Sequence, residues 1–223
     1  MLSLEDNIVP YKDKEKQKEA QQKHYLNNKN KFKERLKVRR IERCQWFNEY
    51  KEKQNFQCID CNESHPSCIC FHHRNPDEKL ATIANLVCQP ASQEIILAEI
   101  DKCDVLCHNC HVKHHWQIET RIFKEATNLL QKRRIDSSVW FFEYKKQHNF
   151  KCLNCNENNP ICLCFHHREP NEKICDVSHM VTFAYSKKKI LAEIAKCDVL
   201  CQNCHSKHHW NTDFRRRNII MGS

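Results

Sequence analysis

Cys58–Trp116 opens with C-I-D-C-N (58–62), continues with C-I-C-F-H-H-R-N-P-D-E-K (68–79) and closes with K-C-D-V-L-C-H-N-C-H-V-K-H-H-W (102–116). The chain then repeats it: C-L-N-C-N from Cys152, C-L-C-F-H-H-R-E-P-N-E-K from Cys162, and K-C-D-V-L-C-Q-N-C-H-S-K-H-H-W from Lys196 to Trp210. Matched residues lie 94 positions apart, without a gap from Arg39-Arg40-Ile41 and Arg133-Arg134-Ile135 onward. Such self-similarity is an internal duplication and settles the domain organisation first. Each copy holds two CxxC pairs, a His-His pair between them, and a His-rich tail.

Two modules of roughly 70–80 residues are at the size where an apolar core alone is marginal and a metal staple is common. Seventeen cysteines with no N-terminal apolar run long enough for a signal peptide read as zinc ligands in a reducing, intracellular compartment, cytoplasm or nucleus, rather than as a secreted disulfide framework. No stretch has the length of a membrane span. Lys and Arg outnumber Asp and Glu by 37 to 28, for a formal charge of +9. That balance favours a polyanionic partner over a membrane or a small-molecule substrate, although a solvated surface reads the same way.

The only glycine is Gly222. Turns must therefore use Asn and Asp, which tolerate the left-handed region better than other residues. Asn62 and Asn156, each directly after a first CxxC, are where that tolerance is needed. Residues 11–53 read as one long polar helix or two in series, with Tyr25, Phe32 and Leu36 as its few anchors. Its basic positions Lys33, Arg35, Lys37, Arg39 and Arg40 are DNA-contact candidates, as are Arg74 and Arg168; the plainer alternative is a solvated helix. Trp46, Phe47 and Tyr50, repeated as Trp140, Phe141 and Tyr144, read as packing against the metal module. Asn55-Phe56 and Asn149-Phe150 close those helices.

Cys68–His72 alternates like a strand, Ser92 and Ser186 read as N-caps, and Val105-Leu106 and Val199-Leu200 form a second strand. The cysteines Cys68, Cys70, Cys162 and Cys164 read as core thiols ahead of extra ligands. Ile118, Ile122, Ala126, Leu129 and Leu130 predict a connecting helix over 117–132, and Asp136-Ser137-Ser138 a cap at the start of the second copy. The expected division is a basic arm (1–38), module 1 (39–116), the connecting helix, module 2 (133–210) and a basic tail (211–223).

Zinc prefers four thiolate or imidazole ligands in a tetrahedron, and a CxxC turn supplies two. Cys58, Cys61, Cys107 and Cys110 make one structural site; Cys152, Cys155, Cys201 and Cys204 make the other. Adjacent strand residues point to opposite faces, so His72 can hold a metal while His73 faces a water. His111 and His115 lie one helical turn apart. With His72 they form an open three-ligand site, repeated as His166, His205 and His209; His114 and His208 are spare candidates. An imidazole largely neutral at pH 7 makes His73, with its counterpart His167, available as a general base. The bland alternative is a set of surface histidines, which five in each of two copies argue against.

F-H-H-R-N-P-D-E-K followed by L-C-H-N-C-H-V-K-H-H resembles an HNH endonuclease of the zinc-stapled, four-cysteine type common in phages and large DNA viruses, and so implies a virus-encoded relative. The resemblance implies a helix-rich α+β chain of two tandem ββα-metal modules. His73 and His167 would activate water for attack on a DNA phosphodiester, double-stranded DNA being the substrate. One divalent cation per active site (Mg2+, Mn2+, Ni2+ or Zn2+) would be held by the imidazole triplets. The family's middle Asn is missing ahead of the second CxxC, where Lys102-Cys103-Asp104 and Lys196-Cys197-Asp198 stand, and Asn109 and Asn203 are the nearest substitutes. The duplication also implies a monomer that is its own pseudo-dimer. The competing class is a non-catalytic zinc-stapled nucleic-acid binder, or a virion or scaffold protein, on the same fold. A C2H2 transcription factor is disfavoured by the missing spacing.

Overall fold

The structure, a computed structural model, describes residues 14–119 and 128–210. It begins with one helix, α1 (Lys14–Gln54), 41 residues long. No Pro or Gly interrupts it, Glu15 sits in its first turn and Lys51 and Lys53 in its last, as the helix dipole favours. It stops at Asn55, whose φ of 49° ends the helix in the left-handed region. Tyr25 and Leu36 are exposed. Tyr25 stacks on Phe32 of the same helix, so these residues do not anchor the arm to a module as the sequence led us to expect. The anchor lies further on, where Cys44, Trp46, Phe47 and Tyr50 pack against the module 1 core.

In module 1 the antiparallel pair β1 (Ile69–His73) and β2 (Cys103–Cys107) is separated in sequence by a 3-10 turn at Pro76–Glu78 and by α2 (Ile83–Cys88) and α3 (Gln93–Ile100). Helix α4 (His108–Glu119) follows β2 directly. Ser92 caps α3, its side chain accepting from the Ile95 N–H. Ile83, Leu86, Val87, Ile96, Ile100 and Cys103 form the core. Module 2 repeats the plan with α5 (Leu129–Gln147), β3 (Leu163–His167), α6 (Val177–Thr182), α7 (Lys187–Ile194), β4 (Cys197–Cys201) and α8 (202–210). Val177, Met180, Val181, Ile190, Ile194 and Cys197 fill the corresponding core. Leu191 lies outside it, being exposed. Two small sheets with helices around two four-cysteine clusters make a mixed α+β chain, consistent with a ββα-metal-like arrangement. No helix among the described residues is long and apolar enough to cross a membrane.

The joint differs from the expected single helix over 117–132. Asn128 is extended (φ −154°) and caps α5 by accepting from the Gln131 N–H. The Asn128 side chain competes for the backbone and starts a new helix there. Leu129 and Leu130 are exposed rather than part of a buried stripe, while Ile122 and Ala126 lie outside the described residues, as does the tail 211–223. Asp136-Ser137-Ser138 is no cap: α5 runs through it, and the Ser138 hydroxyl donates back to the Arg134 carbonyl. The expected boundaries at 38/39 and 132/133 likewise fall inside continuous helices.

The two modules are docked through reciprocal contacts. The Asn109 N–H donates to Asn203 Oδ1 at 3.2 Å, and the Asn203 N–H to Asn109 Oδ1 at 3.3 Å. The Cys68 thiol points at the Asn203 carbonyl, and the Cys162 thiol at that of Asn109. Lys113 pairs with Glu157 at 2.8 Å and Lys207 with Glu63 at 2.7 Å. Each contact maps onto its partner when the modules are exchanged, which is the mark of an isologous, two-fold interface.

Candidate metal centres and the histidine cleft

Two four-thiol groups, Cys58/Cys61/Cys107/Cys110 and Cys152/Cys155/Cys201/Cys204, bring their sulfurs within 4.8 Å of one another. Cys61 and Cys107 are 3.6 Å apart, as are Cys155 and Cys201; ligands at about 2.3 Å from a tetrahedral zinc lie about 3.8 Å from each other. Asn62 (φ 60°) and Asn156 (φ 61°) make the turns after the first CxxC in the left-handed region. The Cys110 and Cys204 N–H groups point at the Cys107 and Cys201 sulfurs. Burial raises the Cys152 thiol, but the surrounding backbone N–H groups outweigh it and bring it to about 7. Burial and then its neighbouring thiols push Cys204 up. Four mutually close sulfurs so arranged fit a cation. The strand thiols Cys68, Cys70, Cys162 and Cys164 are pushed up to about 12, foremost by burial. They stand outside the metal groups: Cys70 and Cys164 donate to the Leu106 and Leu200 carbonyls, as core thiols would.

A second group in each module is made of imidazoles alone. The ring nitrogens of His72, His111 and His115, and of His166, His205 and His209, converge within 4.8 Å. β1 supplies His72, and α4 the other two. His111 Nε2 and His115 Nε2 are 3.2 Å apart, as are the Nε2 atoms of His205 and His209. Two nitrogens at about 2.0–2.1 Å from one tetrahedral cation are separated by about 3.3 Å. Both members of each HxxxH pair therefore belong to the group. His114 and His208 lie edge-on to His72 and His166, with centroids 4.4 and 4.5 Å away. Burial, followed by repulsion from the neighbouring rings, holds His111 and His205 down at about 4. At pH 7 these rings are neutral, the form that binds a metal. Three ligands leave positions open, whereas the four thiols close theirs.

His73 and His167, the last residues of β1 and β3, are held differently. They are 8% and 7% exposed, and the Nε2 of each lies 2.8 Å from a buried carboxylate oxygen, Glu99 Oε1 or Glu193 Oε1. The sequence reading missed these two glutamates. Burial pushes their carboxyls up, but bonds from Lys102 and His73, with the Leu80 N–H, hold Glu99 at about 2; Lys196, the Ile174 N–H and His167 do the same for Glu193. An ionised carboxylate only accepts, so the hydrogen between the two groups sits on Nε2. Among the described residues no fully enclosed side-chain nitrogen or oxygen lacks a partner. In module 2, a cleft of about 420 Å³ is lined by His167 together with His166, His205 and His209, with Lys173 and Asp176 at its edge.

Other sequence candidates lie elsewhere. The side chains of Asn109 and Asn203 are buried in the seam between modules, where each oxygen accepts the other's N–H; the geometry gives them an interface role in place of the middle-Asn role. Arg74 donates to the Cys103 and Asp101 carbonyls and pairs with Asp104, and Arg168 repeats this with Cys197, Ala195 and Asp198. Both guanidinium groups tie the end of a helix to a strand rather than standing free for phosphate. Lys33, Arg35, Lys37, Arg39 and Arg40 are exposed on α1. Comparison with protein-family models, curated proteins and solved structures finds no match.

Proposed function

We propose that each module is a hydrolytic centre of HNH type and that the chain is a metal-dependent endonuclease acting on DNA. The observation that carries this reading is that, in module 2, an open three-imidazole group and a histidine bonded to a buried carboxylate line one cleft, the same residues and bonds recurring in module 1. The triplet would hold a divalent cation, which would supply Lewis-acid stabilisation of charge on the phosphate and on the leaving oxygen. The remaining work falls to this chain's side chains. Glu99 fixes the tautomer and direction of His73, whose Nδ1 accepts a proton from the attacking water. The water oxygen bonds to phosphorus, one phosphorus–sugar oxygen bond breaks, and the leaving oxygen takes a proton from solvent. Lys33, Arg35, Lys37, Arg39 and Arg40 give the polyanion a basic approach along α1.

The low exposure of His73 and His167 is the one observation that favours the second reading, a zinc-stapled DNA clamp without catalysis. Nicking of supercoiled plasmid with Mn2+ or Mg2+ separates the two. The endonuclease reading predicts cleavage that falls about 10²- to 10⁴-fold when both His73 and His167 become Ala. Wild-type protein that binds DNA but leaves it intact with every divalent ion would establish the clamp.

A further inference from the structure

The seam between the modules determines how two such centres meet a substrate. Six residues in three pairs, Asn109/Asn203, Lys113/Glu157 and Lys207/Glu63, interact reciprocally. The second module is thus related to the first by rotation about an axis through the seam and not by translation along the chain. On α4, Asn109 and Lys113 occupy the seam face. His111 and His115, each two residues further on, fall about 200° round the helix at 3.6 residues per turn. The seam thus leaves both imidazole triplets uncovered, one on either side of the axis.

Centres repeated by translation would meet one strand twice with the same polarity. Centres related by a two-fold axis meet two antiparallel strands in equivalent orientations, and a DNA duplex has local two-fold axes of that kind. Resting on the endonuclease reading, we infer that the two modules act as one unit on duplex DNA, one on each strand, at positions related by the duplex dyad. The product is a double-strand break of constant stagger, each cut consuming one water as above.

Single-turnover cleavage of a linear duplex with a different dye on each strand tests this. The expected result is paired cuts, mirrored about a centre with one fixed offset, and nicks only for His167→Ala. Setting like charges against each other in both seam ion pairs (Lys113→Glu with Lys207→Glu) should leave nicking intact and lower the paired fraction at least several-fold. Adding Glu157→Lys with Glu63→Lys should restore it, which separates loss of the seam from loss of the fold. Uncorrelated offsets, or an unchanged paired fraction in the Lys113→Glu, Lys207→Glu variant, overturn the inference while leaving the endonuclease reading in place. So does cutting of single-stranded or branched DNA in preference to the linear duplex. If wild type cuts nothing, the endonuclease reading fails by itself. Fluorescence anisotropy of the His73→Ala, His167→Ala variant then decides the geometry: tighter binding to duplex than to either strand supports the two-fold fit, and equal or weaker binding overturns it.

Discussion

Replacing Glu99 and Glu193 by Gln keeps the shape of the side chain and removes the charge that orients the base. Glu99 accepts from His73 Nε2 at 2.8 Å, the Leu80 N–H at 2.7 Å and Lys102 Nζ at 2.8 Å. A glutamine has one carbonyl oxygen for these three donors, and its amide must turn a donor toward either the histidine or the lysine. Lys102 is 39% exposed and can turn to water, whereas His73 cannot. Charge-assisted bonds are worth about 1.5–3 kcal/mol each, so loss of one buried bond should destabilise each module by about 2 kcal/mol. The effect on rate should be larger. With Lys102 able to turn to water, the glutamine keeps its oxygen on His73 Nε2 and the Leu80 N–H and turns its amide nitrogen toward the lysine; the base then lacks the neighbouring negative charge that stabilises the imidazolium formed when it takes a proton, and weakening a general base should lower cleavage by about 10²-fold. Plasmid nicking at 25 °C, where most molecules remain folded, measures the rate; anisotropy with labelled duplex checks that DNA affinity is unchanged. Cleavage within about threefold of wild type by the double Gln variant would refute the role given to the carboxylate charge.

Three further outcomes follow from particular residues. Ala184 sits at φ 52° after α6, in a turn where the Tyr185 N–H reaches the Met180 carbonyl; Ala184→Gly should raise stability by up to about 1 kcal/mol, read as a higher Tm, because relief of a left-handed penalty of about 1–2 kcal/mol outweighs the roughly 0.4–1 kcal/mol of added freedom in the unfolded chain. Burial holds Lys51 and Lys145 down at about 8, where they donate to the Pro66 and Leu163 carbonyls. The unfolded chain therefore binds more protons than the folded one between about pH 8 and 10.5, and stability should rise with pH across that window. In chemical denaturation the rise should be much smaller in Lys51→Met, Lys145→Met. Changing Arg39 and Arg40 to Ala should reduce the steepness of log affinity against log salt by about 0.9 for each phosphate left unneutralised, seen in DNA titrations from 50 to 200 mM salt.

The sequence made legible whatever is local or repeated. CxxC spacing, the asparagine turns at Asn62 and Asn156, the Ser92 cap and the HxxxH pairs depend on neighbours a few residues away, and all appear in the structure. The identity of both copies also gave away the two-module plan. Hidden were the features that depend on distant chain. Glu99 reads as one polar position on a short helix, and only its presence inside the apolar run Ile-Leu-Ala-Glu-Ile of both copies (96–100 and 190–194) could have marked it as a buried partner. Arg74 next to the His pair reads as a phosphate contact until the chain folds Asp101, Cys103 and Asp104 against it. Asn109 is inside a CxxC, and no local rule says that the other module will face it. The apolar spacing around Leu129 misled because an Asn128 cap overrides periodicity when it offers the backbone an alternative partner.

Central to the proposed function is that each module holds two cations of different kinds, one enclosed by thiolates and one open among imidazoles. Native mass spectrometry of the intact chain after equilibration with Zn2+ tests it most directly. Four ions per chain are predicted, falling to two in His72→Ala, His166→Ala with the fold retained, because the thiolate sites contribute apparent binding energies of about 10–16 kcal/mol and should resist exchange. Two ions in wild type and two in the variant would contradict it.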